Sequence, residues 1–190
     1  MKKIGTLLFL FAMLISQGAW AQKASRKTSS GSHGGNLNLG VGLGYNGYAG
    51  NPASFFSLNY EFDVAKNFTL APFIGFSSYK NQYKWGNNNS YKYYSYHETS
   101  IPVGIKGAYY FDELLGAGAK WDFYLGASLG FAFYNQTWEN GYYGDKTVGR
   151  SMSPLYLAGH IGARYHFNQK IGAFLDLSQG FSTIGLSIKM

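Results

Sequence analysis

Apolar and polar positions alternate with a period of two along most of the chain, and the run from Asn36 to Tyr45 shows the pattern most plainly. Leu37, Leu39, Val41, Leu43 and Tyr45 share one parity; Asn36, Asn38, Gly40, Gly42 and Gly44 share the other. Successive side chains of a strand point to opposite faces, so one face of this segment is apolar and the other polar or bare. A bare face suits the crowded inside of a small closed barrel, and an unbroken apolar face suits lipid.

The same alternation predicts seven further strands. After a Gly- and Pro-containing loop, Asn46 to Ala53, the second runs Ser54 to Val64 and ends in a tight turn at Ala65-Lys66. The third runs Asn67 to Tyr79 and gives way to a polar stretch from Lys80 to about Tyr93. The fourth ends at Phe111, before a turn over Asp112 to Ala119. Lys120 to Tyr134 makes the fifth, followed by a second polar loop from Asn135 to about Arg150. The sixth ends at Phe167 and turns at Asn168-Gln169; the seventh is Lys170 to Ser178 and the eighth Ser182 to Met190. The expected fold is therefore all-β, an eight-stranded antiparallel up-and-down transmembrane barrel. The two longest loops fall at one end and the tight turns at the other, as an even-stranded barrel requires.

Charge parity separates this fold from a soluble barrel. Glu61, Asp63, Lys106, Asp122, Arg164, Asp176 and Lys189 share the glycines' parity and are expected to point inward, whereas a soluble ligand-binding barrel would turn its charges outward. Outward aromatics gather beside the short turns: Tyr60, Phe62, Phe68, Tyr109, Phe111, Trp121, Phe123, Tyr165 and Phe167. Amphipathic rings of this kind form a girdle at a membrane interface.

Composition fits the same reading. The 190 residues carry 26 glycines, 19% aromatic and only 13% charged residues, unusual for a soluble domain. A low mean hydropathy is expected where each strand averages two opposite faces. Without cysteine, neither disulfides nor thiolate metal sites are available. Residues 1–21 read as a cleaved secretory signal: basic Lys2 and Lys3, an apolar Ile4 to Ile15, and Ala19-Trp20-Ala21 before Gln22. Residues 22–35, rich in Ser and Gly, read as a flexible leader, and 36–190 as the barrel. Losing Lys2 and Lys3 lowers the formal charge from +7 to +5, too few charges on an exported chain to indicate a nucleic-acid partner.

Candidate chemistry is sparse. Gly42-Leu43-Gly44-Tyr45-Asn46-Gly47 matches a dinucleotide-binding fingerprint, but Tyr48-Ala49-Gly50-Asn51-Pro52 cannot be the helix that fingerprint needs. His160, Arg164 and His166, with Glu61 and Asp176, could form an acid/base or metal cluster; a structural lumen network of Glu61, Lys106, Asp122, His160, Arg164 and Asp176 is favoured, because charges inside a membrane barrel must be paired or hydrated. Inward Phe55, Phe73, Tyr110, Tyr124, Tyr134, Tyr156 and Phe174 would plug a barrel whose interior has room only for side chains, which argues against a narrow pore. The polar loops carry Tyr83, Trp85, Tyr91 and Tyr94 in the first, and Trp138, Tyr142 and Tyr143 in the second, the residue types of binding loops. No catalytic set, metal or cofactor is assigned.

The eight alternating strands, with Phe68-Thr69-Leu70-Ala71-Pro72-Phe73-Ile74-Gly75 and Ile101-Pro102-Val103-Gly104-Ile105-Lys106, resemble the small outer-membrane β-barrel family of OmpX/OmpA-type barrel domains. The resemblance implies a bacterial outer membrane, with outer-membrane lipid, lipopolysaccharide and the barrel-assembly machinery as partners. It also implies a structural, adhesive or surface-interaction role for loops 80–96 and 135–150, with a surface protein or glycan as ligand. Members of this class usually end in an aromatic residue; this chain ends Ile188-Lys189-Met190. Lipid-modifying enzymes of the outer membrane share the barrel and place His and Ser at the extracellular rim. His97, with Ser95, Glu98 and Ser100 nearby, is the matching candidate here.

Overall fold

The computed structural model describes residues 32–45, 52–87, 90–146 and 154–190. Eight strands follow in order: β1 (Asn36–Tyr45), β2 (Pro52–Ala65), β3 (Phe68–Asn87), β4 (Ser90–Tyr110), β5 (Trp121–Trp138), β6 (Leu155–His166), β7 (Ile171–Ser178) and β8 (Phe181–Lys189). Each pairs antiparallel with its neighbours, and β1 pairs with β8 to close the barrel and remove both sheet edges. The expected signal segment, the leader up to residue 31 and most of the loop between β1 and β2 lie outside the described residues.

The alternation maps onto the two faces. Leu39, Val41, Leu43, Ile105, Leu125, Leu129, Ile161 and Ile184 are exposed on the outside, while Asn36, Asn38, Glu61, Asp122, Arg164 and Asp176 are buried inside. Glycine has a specific use here. Six inward rings lie opposite a glycine in the adjacent strand: Phe55 with Gly42, Phe73 with Gly104, Tyr124 with Gly162, Tyr156 with Gly130, Phe174 with Gly185 and Phe181 with Gly44. A Cβ at Gly44 would land in the ring of Phe181, and one at Gly162 in that of Tyr124. The rings of Phe181, Tyr124 and Phe174 thus cover the bare backbone of Gly44, Gly162 and Gly185, and Phe55 covers Gly75, a pairing known to compensate glycine in sheets.

Several boundaries differ from expectation. The polar stretch from Lys80 to Tyr93 is not a loop: β3 continues to Asn87 and β4 starts at Ser90, paired from Lys80↔His97 to Asn87↔Ser90. Tyrosine and tryptophan have high strand propensity, so a segment too polar for lipid still extends the ladder. Likewise β5 runs on to Trp138, and only 139–146 of the second loop is described as irregular chain. The β4–β5 connection holds a helical turn, α1 (Asp112–Leu115). At the β2–β3 turn Asn67 takes the left-handed conformation, with φ of 58°. Asn168 closes β6–β7 by accepting the amides of Lys170 and Ile171 on its side-chain oxygen.

Two charges expected in the lumen are elsewhere. Asp63 and Lys189 stand exposed at the end that carries the short turns, the start of β1 and the end of β8, because they lie within the last three residues of their strands. Asp63 instead holds the segment before β1, accepting the Ser32 hydroxyl at 2.8 Å and the amides of His33 and Gly34 at 3.0 and 2.8 Å. The last residues of the expected flexible leader are therefore built into the mouth of the barrel. Gly34 passes so close to the β2 backbone that a Cβ would lie 2.8 Å from Phe62 Cα, and Gly35 has φ of 77°.

Candidate functional site

The lumen contains two ionic layers. In the layer nearer the short turns, Arg164 on β6 reaches across the barrel to Glu61 on β2, and its other nitrogen lies 3.5 Å from Asp122 on β5. Glu61 also accepts from Thr69 Oγ1 at 2.6 Å and from the Tyr110 hydroxyl, and lies 3.4 Å from Asn38 Nδ2. Asp122 accepts from His166 Nε2 at 2.7 Å. Arg164 is 2% exposed, so this charge is compensated by the protein rather than by water.

His33 completes that layer from below. Its ring stacks on Tyr110, with centroids 4.1 Å apart and planes 4° from parallel, and its carbonyl accepts from Asn36 and Arg164. Its Nδ1 lies 3.5 Å from Asp122 and its Nε2 lies 3.7 Å from Asp112. Burial disfavours the charged imidazole, but the hydrogen bond and charge of Asp122, with the charge of Asp112, outweigh it and hold the pKa above its usual value.

In the second layer, Lys106 on β4 crosses to Asp176 on β7, which also accepts the Tyr124 hydroxyl at 2.8 Å and contacts His160 Nδ1 at 2.7 Å. His160 Nε2 lies 2.8 Å from Ser128 Oγ. Ser128, His160 and Asp176 thus stand in the order of a hydrolase triad. Their surroundings argue against that chemistry. Ser128 is 2% exposed, and Tyr124 lies towards one end of the lumen. Towards the other, Phe73 meets Tyr156 at 5.6 Å and Phe55 stacks on Phe181 at 4.0 Å. The triad is a hydrogen-bond chain sealed between rings. All six expected network residues fall in these two layers, joined by Tyr110, Tyr124, Thr69, Ser128 and His33.

Beyond the lumen, β3 and β4 rise as a hairpin. A strand of about 9–11 residues crosses a bilayer, and β7 and β8, with 8 and 9 residues, are near that length, whereas β3 and β4 have 20 and 21. On the hairpin's inner face Tyr83, Trp85, Tyr94 and Tyr96 pack with Trp138 and Tyr142. Trp138 stacks on Tyr142 at 4.2 Å, and Tyr94 lies 5.2 Å from it. Tyr142 is only 4% exposed at the centre of the cluster. Tyr91, Tyr93 and Tyr143 are exposed, and Lys84 Nζ sits 3.6 Å above the Tyr91 ring. The seven expected loop residues are therefore divided. Tyr83, Tyr94, Trp138 and Tyr142 bury one another; Trp85 packs on Tyr94 and Tyr142 from the same inner face but keeps an exposed edge, Tyr91 takes the outer face by the same period-two alternation, and Tyr143 is exposed in the chain after β5.

The remaining candidates separate. His97 and Ser95 share the outer face of β4, while Glu98 and Ser100 are buried on the inner one. The expected interface aromatics Phe62, Phe68, Tyr109, Phe111, Trp121, Tyr165 and Phe167 ring the outside at the end bearing the short turns. Trp121 contacts Tyr165 at 4.8 Å, and Tyr165 contacts Phe167 at 5.5 Å.

A closed antiparallel barrel that is apolar outside and ion-paired inside defines a transmembrane β-barrel. Residues 12–185 match the model of the outer membrane protein beta-barrel domain, and the chain belongs to that family of bacterial outer-membrane proteins. Neisserial surface protein A is similar in structure, with 14% identity, 82% of this chain and 95% of that one covered, and a TM-score of 0.50. Ail, the attachment invasion locus protein of Yersinia pestis, solved with the heparin analogue sucrose octasulfate, shares 12% identity over 80% of this chain and 94% of its own, with a TM-score of 0.39. The outer membrane enzyme PagL shares 17% identity over 82% of this chain and 99% of its own, with a TM-score of 0.32. At such identities the likeness concerns fold alone. No curated protein matches the chain in sequence.

Proposed function

We propose that the protein is a structural outer-membrane barrel that presents the β3–β4 hairpin and the chain after β5 as a surface for a protein or glycan at the cell exterior. The observation carrying this reading is the division of labour along the barrel. Side chains fill the lumen, while the hairpin continues past bilayer length and is stiffened by its own aromatic cluster. Exposed Trp85, Tyr91 and Tyr93 with Lys84 offer rigid contact area beside positive charge. In this reading the aromatic ring at the other end sits at the periplasmic interface, and residues 1–21 are a signal removed on export.

The test replaces residues 81–96 with a short Gly-Asn turn and compares binding of cells expressing either form to an array of glycans and extracellular proteins. Both forms should still shift on unboiled denaturing gels. The deletion should abolish whatever binding the parent shows, and equal binding by both would refute the reading. A second reading, a lipid-modifying enzyme, is favoured by one arrangement: Ser95 and His97 share the lipid-side face, and Glu139 accepts the Ser95 amide at 2.9 Å. Mass spectrometry of lipid A from cells carrying the parent, Ser95→Ala or His97→Ala would show the same species for all three if this reading is wrong.

A further inference from the structure

The mouth of the barrel gathers carboxylates around one imidazole. Glu61, Asp112 and Asp122 reach this end beside the guanidinium of Arg164, and His33 and His166 face Asp122. Carboxylates drawn together out of water favour a positive charge between them. One ligand atom from each of His33, Asp112 and Asp122 can be chosen so that all lie within 4.8 Å of one another. A second, independent feature points to a missing partner. His33 is 93% buried (7% exposed), yet its Nε2 makes no hydrogen bond; the Asp112 Oδ1 that it faces at 3.7 Å makes none either.

We propose that His33, Asp112 and Asp122 bind a divalent first-row transition cation, of which Zn²⁺ is the probe of choice. One imidazole nitrogen and two carboxylates are a suitable donor set, with water free to take a fourth position. Ligand atoms about 2.0–2.2 Å from a tetrahedral centre lie closer together than those found here, so the side chains would draw in by about an ångström. Asp112 rides on the helical turn of a connection whose Leu114 and Leu115 are exposed, so that movement falls on Asp112 rather than on His33, which Asp63, Arg164 and Tyr110 hold in place. The cation would offset the carboxylate charge and tie the segment before β1 to the β4–β5 connection. His166, bonded to Asp122 at 2.7 Å, would orient that ligand from behind. Opposing the site is Arg164, 3.5 Å from the other Asp122 oxygen. This inference is independent of what the hairpin binds.

The mature chain, without an affinity tag and stripped with chelator, is refolded in detergent and titrated with ZnCl₂ by calorimetry, then with CoCl₂ by visible absorption. We expect one equivalent of Zn²⁺ to bind and Co²⁺ to give a low-coordinate d–d band. Asp112→Asn, which keeps side-chain shape, and His33→Ala should each weaken binding at least about tenfold, and His166→Ala by about 10–100-fold, as removal of an orienting partner does. His97→Ala, at the opposite end, should bind as the parent does. Absence of binding by the parent would overturn the proposal. So would unchanged affinity in Asp112→Asn, which is the decisive variant if His33→Ala fails to fold.

Discussion

Replacing Arg164 by Met removes the guanidinium shared by Glu61 and Asp122 while keeping a side chain of comparable length. Four contacts disappear: the ion pair to Glu61, the 3.5 Å contact to Asp122, and hydrogen bonds to the Tyr110 hydroxyl at 3.2 Å and the His33 carbonyl at 3.3 Å. Breaking a buried pair by removing one partner costs about 3–5 kcal/mol, mostly the penalty of stranding the other charge. Glu61 keeps Thr69 and Tyr110, and Asp122 keeps His166, so the lower end, about 3 kcal/mol, is expected. With a urea slope of about 1–3 kcal/mol/M, the midpoint should fall by about 1–3 M. Unfolding of the detergent- or vesicle-embedded barrel, followed by tryptophan fluorescence at neutral pH, reads this directly. Glu61→Gln with Arg164→Met should recover part of the loss, because no charge is then stranded at Glu61, giving a coupling of about 2 kcal/mol. A midpoint unchanged by Arg164→Met, or single effects that simply add in the double variant, would show that the pair does not hold the lumen together.

Gly162→Ala should cost at least the about 1–3 kcal/mol of an ordinary small-to-large change, because its Cβ would enter the Tyr124 ring and displace the hydroxyl bonded to Asp176; an unchanged urea midpoint would refute this. Glu98 is 4% exposed and its Oε1 makes no hydrogen bond, so Glu98→Gln should raise the urea midpoint, by about 1 kcal/mol in stability, and a lowered midpoint would show that an essential cation faces it. Tyr142→Ala should leave global unfolding nearly unchanged but speed amide exchange over 81–96, since the rings it supports lie outside the membrane-length part of the barrel.

Strand parity was legible because lipid and lumen impose opposite demands on alternate residues, which is why Leu39 and Asn38 could be told apart without coordinates. Strand ends were less legible. Hydropathy reports where lipid stops rather than where pairing stops, so Lys80 to Tyr93 read as a loop although its tyrosines sustain a ladder. The lumen network was visible as a set of inward charges, but not its partition into an Arg164 layer and a Lys106 layer, which depends on which strands face each other across the barrel. His33 could not be found from pattern at all: it precedes the first strand in a Ser/Gly-rich segment. Its place follows from Asp63, expected to point into the lumen but standing near the end of β2 and reaching back to its amide.

The glycine pattern explains why this lumen can be both small and stable. Eight strands enclose room for side chains only, and a ring on every inward position would not fit. Setting six large rings opposite glycines lets them and two ionic layers share the same interior. Burial of Arg164, Glu61 and Asp176 strengthens each ion pair by lowering the local dielectric, and raises the cost of any charge left unpaired. In the function proposed here the chain meets its surroundings at the two ends: the tyrosine-rich hairpin at one, and the mouth lined by His33, Asp112 and Asp122 at the other.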